Sequence, residues 1–170
     1  MKKHSGMRPH DIIILLKIAI KKSNTWTLRE LGIELEVSFS EISESLNRSV
    51  LAGLLAEDKH TLMRQAFVEF LMFGLKYVFP QKPGSPVRGI KTAYSAPPLS
   101  AIIQHDEKIV WPWPEGMDRG VSIEPLHPKL PGVCLRDSQL YELAALTDTL
   151  RVGGSRERQV AAEELRTRLL

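Results

Sequence analysis

The sequence predicts a mainly α fold, and three observations support that prediction. Two capping-box signatures, Thr27 with Glu30 and Ser38 with Glu41, stand eleven residues apart, and each marks the start of a helix. Apolar residues at helical spacing lie before and after these two signatures. Two more helical patterns near the C-terminus meet at a Gly-Gly pair, which ends one helix before the next begins. The pattern therefore predicts an N-terminal group of helices, an irregular middle and a C-terminal helical hairpin.

The composition narrows the class of protein. The chain has 170 residues, which suffices for one apolar core with or without a small appendage. Its single cysteine, Cys134, excludes an internal disulfide and favours a reducing compartment. The longest apolar run, residues 12–20, is too short to span a bilayer, and the N-terminus lacks the anatomy of a signal peptide. We therefore expect a cytoplasmic protein without a membrane segment.

Positive charge is concentrated in the middle of the chain. The net charge is +3, and residues 61–100 carry five Lys and Arg against one acidic residue. This stretch is the expected electrostatic contact with phosphate. A surplus as small as +3 is equally compatible with an ordinary solvated surface.

Three N-terminal helices are predicted. The first begins at Pro9, which suits a first helical turn, and apolar residues surround most of it, so it should be buried. The two capped helices follow. The first of these ends near Glu36, and the second runs on to about Glu57.

A long fourth helix is predicted from Leu62 to about Phe79, capped by Thr61 and ended by Pro80. Hardly any face of this helix is polar, so two of its sides must be covered. The protein's own core covers one side. The C-terminal part or a second subunit covers the other, and we expect a homodimer.

Residues 27–46, TLRELGIELEVSFSEISESL, resemble a helix-turn-helix. The family pattern is T-x-x-E-L-A-x-x-L-G-V-S-x-x-T-V-S-x-x-L, and the segment follows it over twenty residues without a gap. Ile42 takes the position of Val, and Gly32 takes the small-residue position where the two helices cross. Glu36 departs from the pattern, because Gly with a positive φ is usual there, and Glu41 stands in place of Thr. The matching residues are Thr27, Glu30, Leu31, Leu35, Val37, Ser38, Ser43 and Leu46.

The segment AGLLAED, residues 52–58, resembles the one that closes the recognition helix in winged-helix regulators of the MarR type. In those proteins a two-stranded wing follows directly. Here the cap predicted at Thr61 indicates another helix in place of the wing.

These resemblances imply a sequence-specific, DNA-binding transcriptional regulator. The second helix of the motif would enter the major groove of double-stranded DNA, with a dimer binding two half-sites. Glu41 and Glu44 lie on the outward face and repel phosphate, so a motif used for packing or for protein contact is the alternative. The candidate DNA-binding residues are Arg29, Ser38, Ser40, Ser43, Asn47 and Arg48 in the motif, and Arg88 and Lys91 beyond it.

The chain divides into a helix-turn-helix DNA-binding domain, residues 8–79, a Pro-rich extended segment with short strands, residues 80–135, and a C-terminal helical hairpin, residues 136–170. Residues 80–98 leave two interpretations open. They follow a DNA groove or backbone, with Arg88 near phosphate, or they form a linker held to the surface by apolar side chains.

Short strands are predicted between residues 99 and 132. Residues 101–103 can pair with 108–111 across one turn, and residues 109–113 can pair with 119–123 across another. Both hairpins hold fully only if residues 108–111 form a central strand. Prolines make this region irregular, so the strands should be edge strands.

No motif of a P-loop, a hydrolase nucleophile or a zinc protease occurs. We therefore expect no catalytic residue, cofactor or metal. The segments AYSAPPL, LYELAAL and GSRERQ loosely resemble small bacterial helix-turn-helix proteins encoded beside nucleotidyltransferase-type toxins. That resemblance implies the alternative function, an antitoxin-like module that binds and covers a toxin-like partner protein.

Overall fold

Helices form where capping residues and apolar spacing predict them, and the mainly α fold class is confirmed. The structure is a computed structural model that describes residues 6–170. No helix within these residues has the length and apolar character that crossing a membrane requires. The helices are α1 (Pro9–Ile20), α2 (Leu28–Leu35), α3 (Phe39–Leu51), α4 (Arg64–Phe73), α5 (Leu75–Val78), α6 (Leu130–Cys134), α7 (Ser138–Val152) and α8 (Ser155–Leu169). The strands are β1 (Pro86–Lys91), β2 (Ile109–Pro112) and β3 (Asp118–Ser122).

Helix α1 is the centre of the packing. Every residue from Asp11 to Leu16 is buried, as the apolar pattern predicts. Helices α2 and α3 pack against α1, and so does α7 from the C-terminal part. One apolar cluster therefore runs from α1 through α4 and the sheet to α8.

Thr27 and Ser38 cap α2 and α3 as predicted, but only the Thr27–Glu30 capping box is complete, because the Glu41 carboxylate bonds Arg48 and His10. Thr27 Oγ1 accepts a hydrogen bond from the Glu30 amide at 3.2 Å, and the Thr27 amide donates to the Glu30 carboxylate at 2.6 Å. Ser38 Oγ accepts from the Glu41 amide at 3.2 Å. Both helices therefore begin at the residues that the sequence indicates.

The turn between α2 and α3 is tight. Glu36 has φ 56° and ψ 41°, the left-handed conformation that usually favours Gly. A Cβ atom on Gly32 would lie 2.7 Å from Phe39 Cδ1 and 2.8 Å from the Val37 carbonyl oxygen. Only glycine therefore allows α3 to approach α2 this closely.

The chain after α3 differs from the prediction. Helix α3 ends at Leu51, not near Glu57, and Gly53 follows with φ 74°. Leu55 then pairs with Leu62 in an antiparallel bridge. Residues 54–63, called here the 54–63 hairpin, make a short turn closed by this single bridge, where the sequence predicts the continuation of α3 to about Glu57.

Thr61 does not cap a helix. Its amide and hydroxyl donate to the Asp58 carboxylate at 2.8 and 2.6 Å, which closes the turn of the hairpin. The next helix begins three residues later, and Gly74 divides the predicted long helix into α4 and α5.

The three strands form a small closed sheet in which β1 pairs antiparallel with both β2 and β3. Strands β2 and β3 pair in parallel, so the hairpin predicted between them is wrong. Residues 99–101 form a 3-10 turn, so the strand predicted at 101–103 is also wrong. The hairpin does not form because β1 takes the antiparallel pairing with both strands. Gly89 on β1 lies opposite Pro112 on β2 and opposite Asp118 on β3.

Helix α7 joins the sheet to the helical part. Asp148 on α7 is fully buried and accepts hydrogen bonds, all at 2.8 Å, from Thr92 Oγ1, Trp111 Nε1 and Arg151 Nη1. A buried carboxylate needs such donors. The C-terminal hairpin of α7 and α8 is formed as predicted, with Asp137 as the cap of α7.

Candidate nucleic-acid interface

Helix α3 has a polar outward stripe. Ser40 and Asn47 are exposed and Ser43 is partly exposed, and the three lie on one side of the helix at intervals of three and four residues. The opposite side is buried against the core through Ile42 and Leu46. The stripe therefore offers hydroxyl and amide groups to solvent, with the partly exposed carboxylate of Glu44 on the same side of the helix.

Arg48 does not belong to this stripe, and its predicted outward position is wrong. Only 9% of its side chain is exposed. Its Nε and Nη2 donate to the two carboxylate oxygens of Asp11 at 2.9 and 2.8 Å. Asp11 has no exposed surface, and a buried carboxylate requires a cation, so Arg48 is drawn inward. A signal was present in the sequence: Asp11 stands in the first turn of a helix whose other residues are mostly apolar.

The same network neutralises Glu41. Its carboxylate accepts hydrogen bonds from Arg48 Nη2 at 2.8 Å and His10 Nε2 at 2.7 Å, and Arg8 lies 3.6 Å away. Burial alone would raise the pKa of Glu41, but the hydrogen bonds from Arg48 and His10 outweigh it and lower the pKa. Glu44, 44% exposed, also lies 3.7 Å from Arg48. The repulsion of phosphate expected from these two acids is therefore weakened.

The 54–63 hairpin is fixed beside α2. His60 stacks on Trp26 with ring centroids 4.3 Å apart, and Trp26 is only 5% exposed. Hydrogen bonds from Thr61 lower the pKa of Asp58 to about 2, so the turn carries a carboxylate at neutral pH. Lys59 stands at the tip, exposed, with φ 57°. The hairpin thus holds one cation at a defined position directly after α3.

Two further motif residues were predicted. Arg29 is exposed on the first turn of α2, and no ion pair to it occurs within residues 6–170. Ser38 is exposed, but its hydroxyl already accepts the bond that caps α3. Ser38 therefore fixes the start of α3, whereas Arg29 is free to meet an anion.

The residues predicted in the Pro-rich segment lie on β1. Arg88 is exposed, directly opposite Arg119 on β3, and both border a surface depression of about 330 Å³. Lys91 is half-buried, and its carbonyl accepts a hydrogen bond from Tyr141 at 2.5 Å. Arg119 was missed, because the β1–β3 register that pairs the two arginines cannot be read from one sequence. Like charges placed directly opposite each other destabilise a strand pair, and Asp118 lies beside the two arginines in the same depression.

No group of three or more His, Cys, Asp or Glu side chains within the described part of the chain is arranged to hold a metal ion. Comparison of the chain with protein-family models, curated proteins and solved structures finds no match.

Proposed function

We propose that the protein is a sequence-specific DNA-binding regulator that contacts double-stranded DNA through α2, α3 and the 54–63 hairpin. The observation that carries the proposal is the exposed polar stripe on α3, which follows a capped helix across a tight turn. The short hairpin directly after α3 gives the unit the order of parts of a winged helix-turn-helix. Helix α3 is the recognition helix in this proposal.

The side chains on the stripe suit base edges in the major groove. An Asn amide can donate to and accept from adenine at the same time, and a Ser hydroxyl accepts or donates to either base of a pair. Asn47 is accordingly the main specificity contact, with Ser40 and Ser43 beside it. Arg29 and Lys59 flank the stripe and supply contacts to phosphate, which position the protein without reading sequence.

The electrostatic contribution of phosphate contacts to DNA affinity is small. Two cations per protomer, Arg29 and Lys59, neutralise about two phosphates, which corresponds to a slope of about −2 for the logarithm of the binding constant against the logarithm of salt. The internal pairing of Glu41 supports the proposal, because the acid nearest the start of α3 is already compensated.

The test is fluorescence anisotropy with the duplex upstream of the protein's own gene, over a salt series. Asn47→Ala should cost about 1–3 kcal/mol, which is a loss of affinity of about 5- to 150-fold. Gln104→Ala, an exposed amide far along the chain, is the matched control and should bind like the wild type. Absence of binding at low salt by folded protein would refute the proposal.

A second candidate function is favoured by apolar side chains on the same unit. Ile33 is 60%, Phe39 51% and Leu51 71% exposed. Large exposed apolar groups are typical of protein contacts. An antitoxin-like module would use this surface to cover a partner protein, and DNA binding would then be secondary. Loss of co-purification with the product of an adjacent toxin-like gene in Ile33→Asp and Leu51→Asp would support it, whereas unchanged co-purification would refute it.

A further inference from the structure

Helices α4 and α5 expose one apolar row. Met63 is 45%, Phe73 67% and Tyr77 72% exposed, and Ala66 and Phe70 between them are half-buried. These five residues, called here the α4–α5 seam, follow one another at intervals of three, four, three and four residues. The other side of the two helices, formed by Phe67, Val68, Leu71 and Leu75, is buried in the core. The seam is therefore a second apolar face that residues 6–170 leave uncovered.

The spacing of the seam residues indicates the kind of surface that can pack against them. Alternating intervals of three and four residues are the a and d positions of a heptad, the pattern with which one helix packs on another along its length. Met63, Phe70 and Tyr77 take a positions, and Ala66 and Phe73 take d positions. A seam of this kind pairs with a surface of the same spacing. The α4–α5 seam has that spacing itself, although it begins at the cap of α4 and crosses Gly74 into α5.

The flanking charges select the direction of pairing. Glu69 and Lys76 occupy the two g positions beside the seam; Glu69 is exposed and Lys76 is half-buried. In an antiparallel pair, g positions of one helix meet g positions of the other along one flank, so Glu69 would meet Lys76 twice, once on either side of the two-fold axis. In a parallel pair, g meets e, and Glu69 would meet Gly74, which carries no charge.

We propose that a second copy of this chain docks antiparallel on the α4–α5 seam. The two-fold axis passes between Phe70 and Phe73, so that each Phe70 packs on the partner's Phe73. Each Tyr77 packs over the partner's Ala66, a large side chain against a small one. The interface is isologous, because the same surface serves both copies. It does not depend on the DNA-binding proposal, and it is tested without DNA.

The first experiment measures mass in solution by sedimentation and light scattering, from about 1 to about 100 µM chain, because dimer population depends on protomer concentration. The expected mass at high concentration is twice the chain mass of 19.2 kDa. Phe73→Glu should leave a monomer with an unchanged circular dichroism spectrum, since the side chain is exposed. Met117→Glu, 95% exposed on the sheet side, is the control and should dimerise like the wild type. A wild type that stays monomeric, or a Phe73→Glu variant that still dimerises, would overturn the proposal.

The second experiment tests the antiparallel register. Glu69→Lys and Lys76→Glu each place like charges together and should weaken dimerisation about tenfold or more, whereas the double variant restores both pairs and should recover the wild-type constant. Failure of the double variant to recover would overturn the antiparallel arrangement.

Discussion

Replacing Arg48 tests the inward position of its side chain. Arg48→Met keeps the aliphatic stem, so little packing is lost, and removes the two hydrogen bonds to Asp11. Removing one partner of a buried ion pair costs about 3–5 kcal/mol. In the variant, Asp11 still accepts a hydrogen bond from the Arg8 amide at 2.8 Å. We therefore expect a loss of unfolding free energy at the low end of that range, about 3 kcal/mol. For a chain of this size that lowers the melting temperature by roughly 6–12 °C.

The assay is urea unfolding followed by far-UV circular dichroism. Arg29→Met is the matched control: it removes an exposed arginine and should change the free energy of unfolding by less than about 0.5 kcal/mol. The double variant Arg48→Met with Asp11→Asn should cost at least about 1 kcal/mol less than the sum of the two single changes. If Arg48→Met is as mild as Arg29→Met, Arg48 is not buried against Asp11.

This outcome also affects how DNA-binding data are interpreted. A variant of Arg48 that loses DNA binding would report on the fold, not on a contact to DNA, because its guanidinium lies between α1 and α3. Asn47 carries no such internal role, so it is the informative position.

Three further predictions concern the same unit. Glu36→Gly should raise the free energy of unfolding by about 0.5–1 kcal/mol, because relief of the left-handed strain exceeds the loss of the exposed ion pair with Arg136; a loss of stability in urea unfolding would contradict this. Gly32→Val should cost about 1–3 kcal/mol in the same assay, because its Cβ meets the Val37 carbonyl, which cannot move aside; a neutral result would show that α2 and α3 can separate. Glu41 has a lowered pKa in the folded state, so its contribution is present above its ordinary value of 4.5 and lost as pH falls through the folded value. Glu41→Gln should therefore make the free energy of unfolding fall less steeply as the pH is lowered. Equal pH profiles of stability for the variant and the wild type would contradict the pairing of Glu41 with Arg48 and His10.

The local parts of the fold could be predicted from sequence because their causes are local. The caps of α2 and α3 are formed by residues three positions apart, and Glu36 departs from Gly at the very residue that has a positive φ. The α7–α8 hairpin follows from apolar spacing and two glycines. Each of these is decided within one or two helical turns.

Two of the errors have distant causes, and one has a local cause. Arg48 was assigned to the surface because its burial depends on Asp11, 37 residues earlier in the chain. The 54–63 hairpin is the local error: Thr61 suits a helix cap, but its hydroxyl donates to Asp58, three residues earlier, and closes a turn. Arg119 joined the candidate residues only when the β1–β3 register was known. No pattern in the sequence around Arg48 or around Arg119 indicates the distant residue with which each of them pairs.

The most direct measurement is selection from a library of randomised duplexes by the wild type, by Asn47→Ala and by the control Gln104→Ala. We expect the wild type and the control to enrich the same sequence, and Asn47→Ala to lose preference at one or two positions while other positions persist. No enrichment by the folded wild type, or an identical sequence enriched by Asn47→Ala, would contradict the assignment of α3 as the helix that reads DNA.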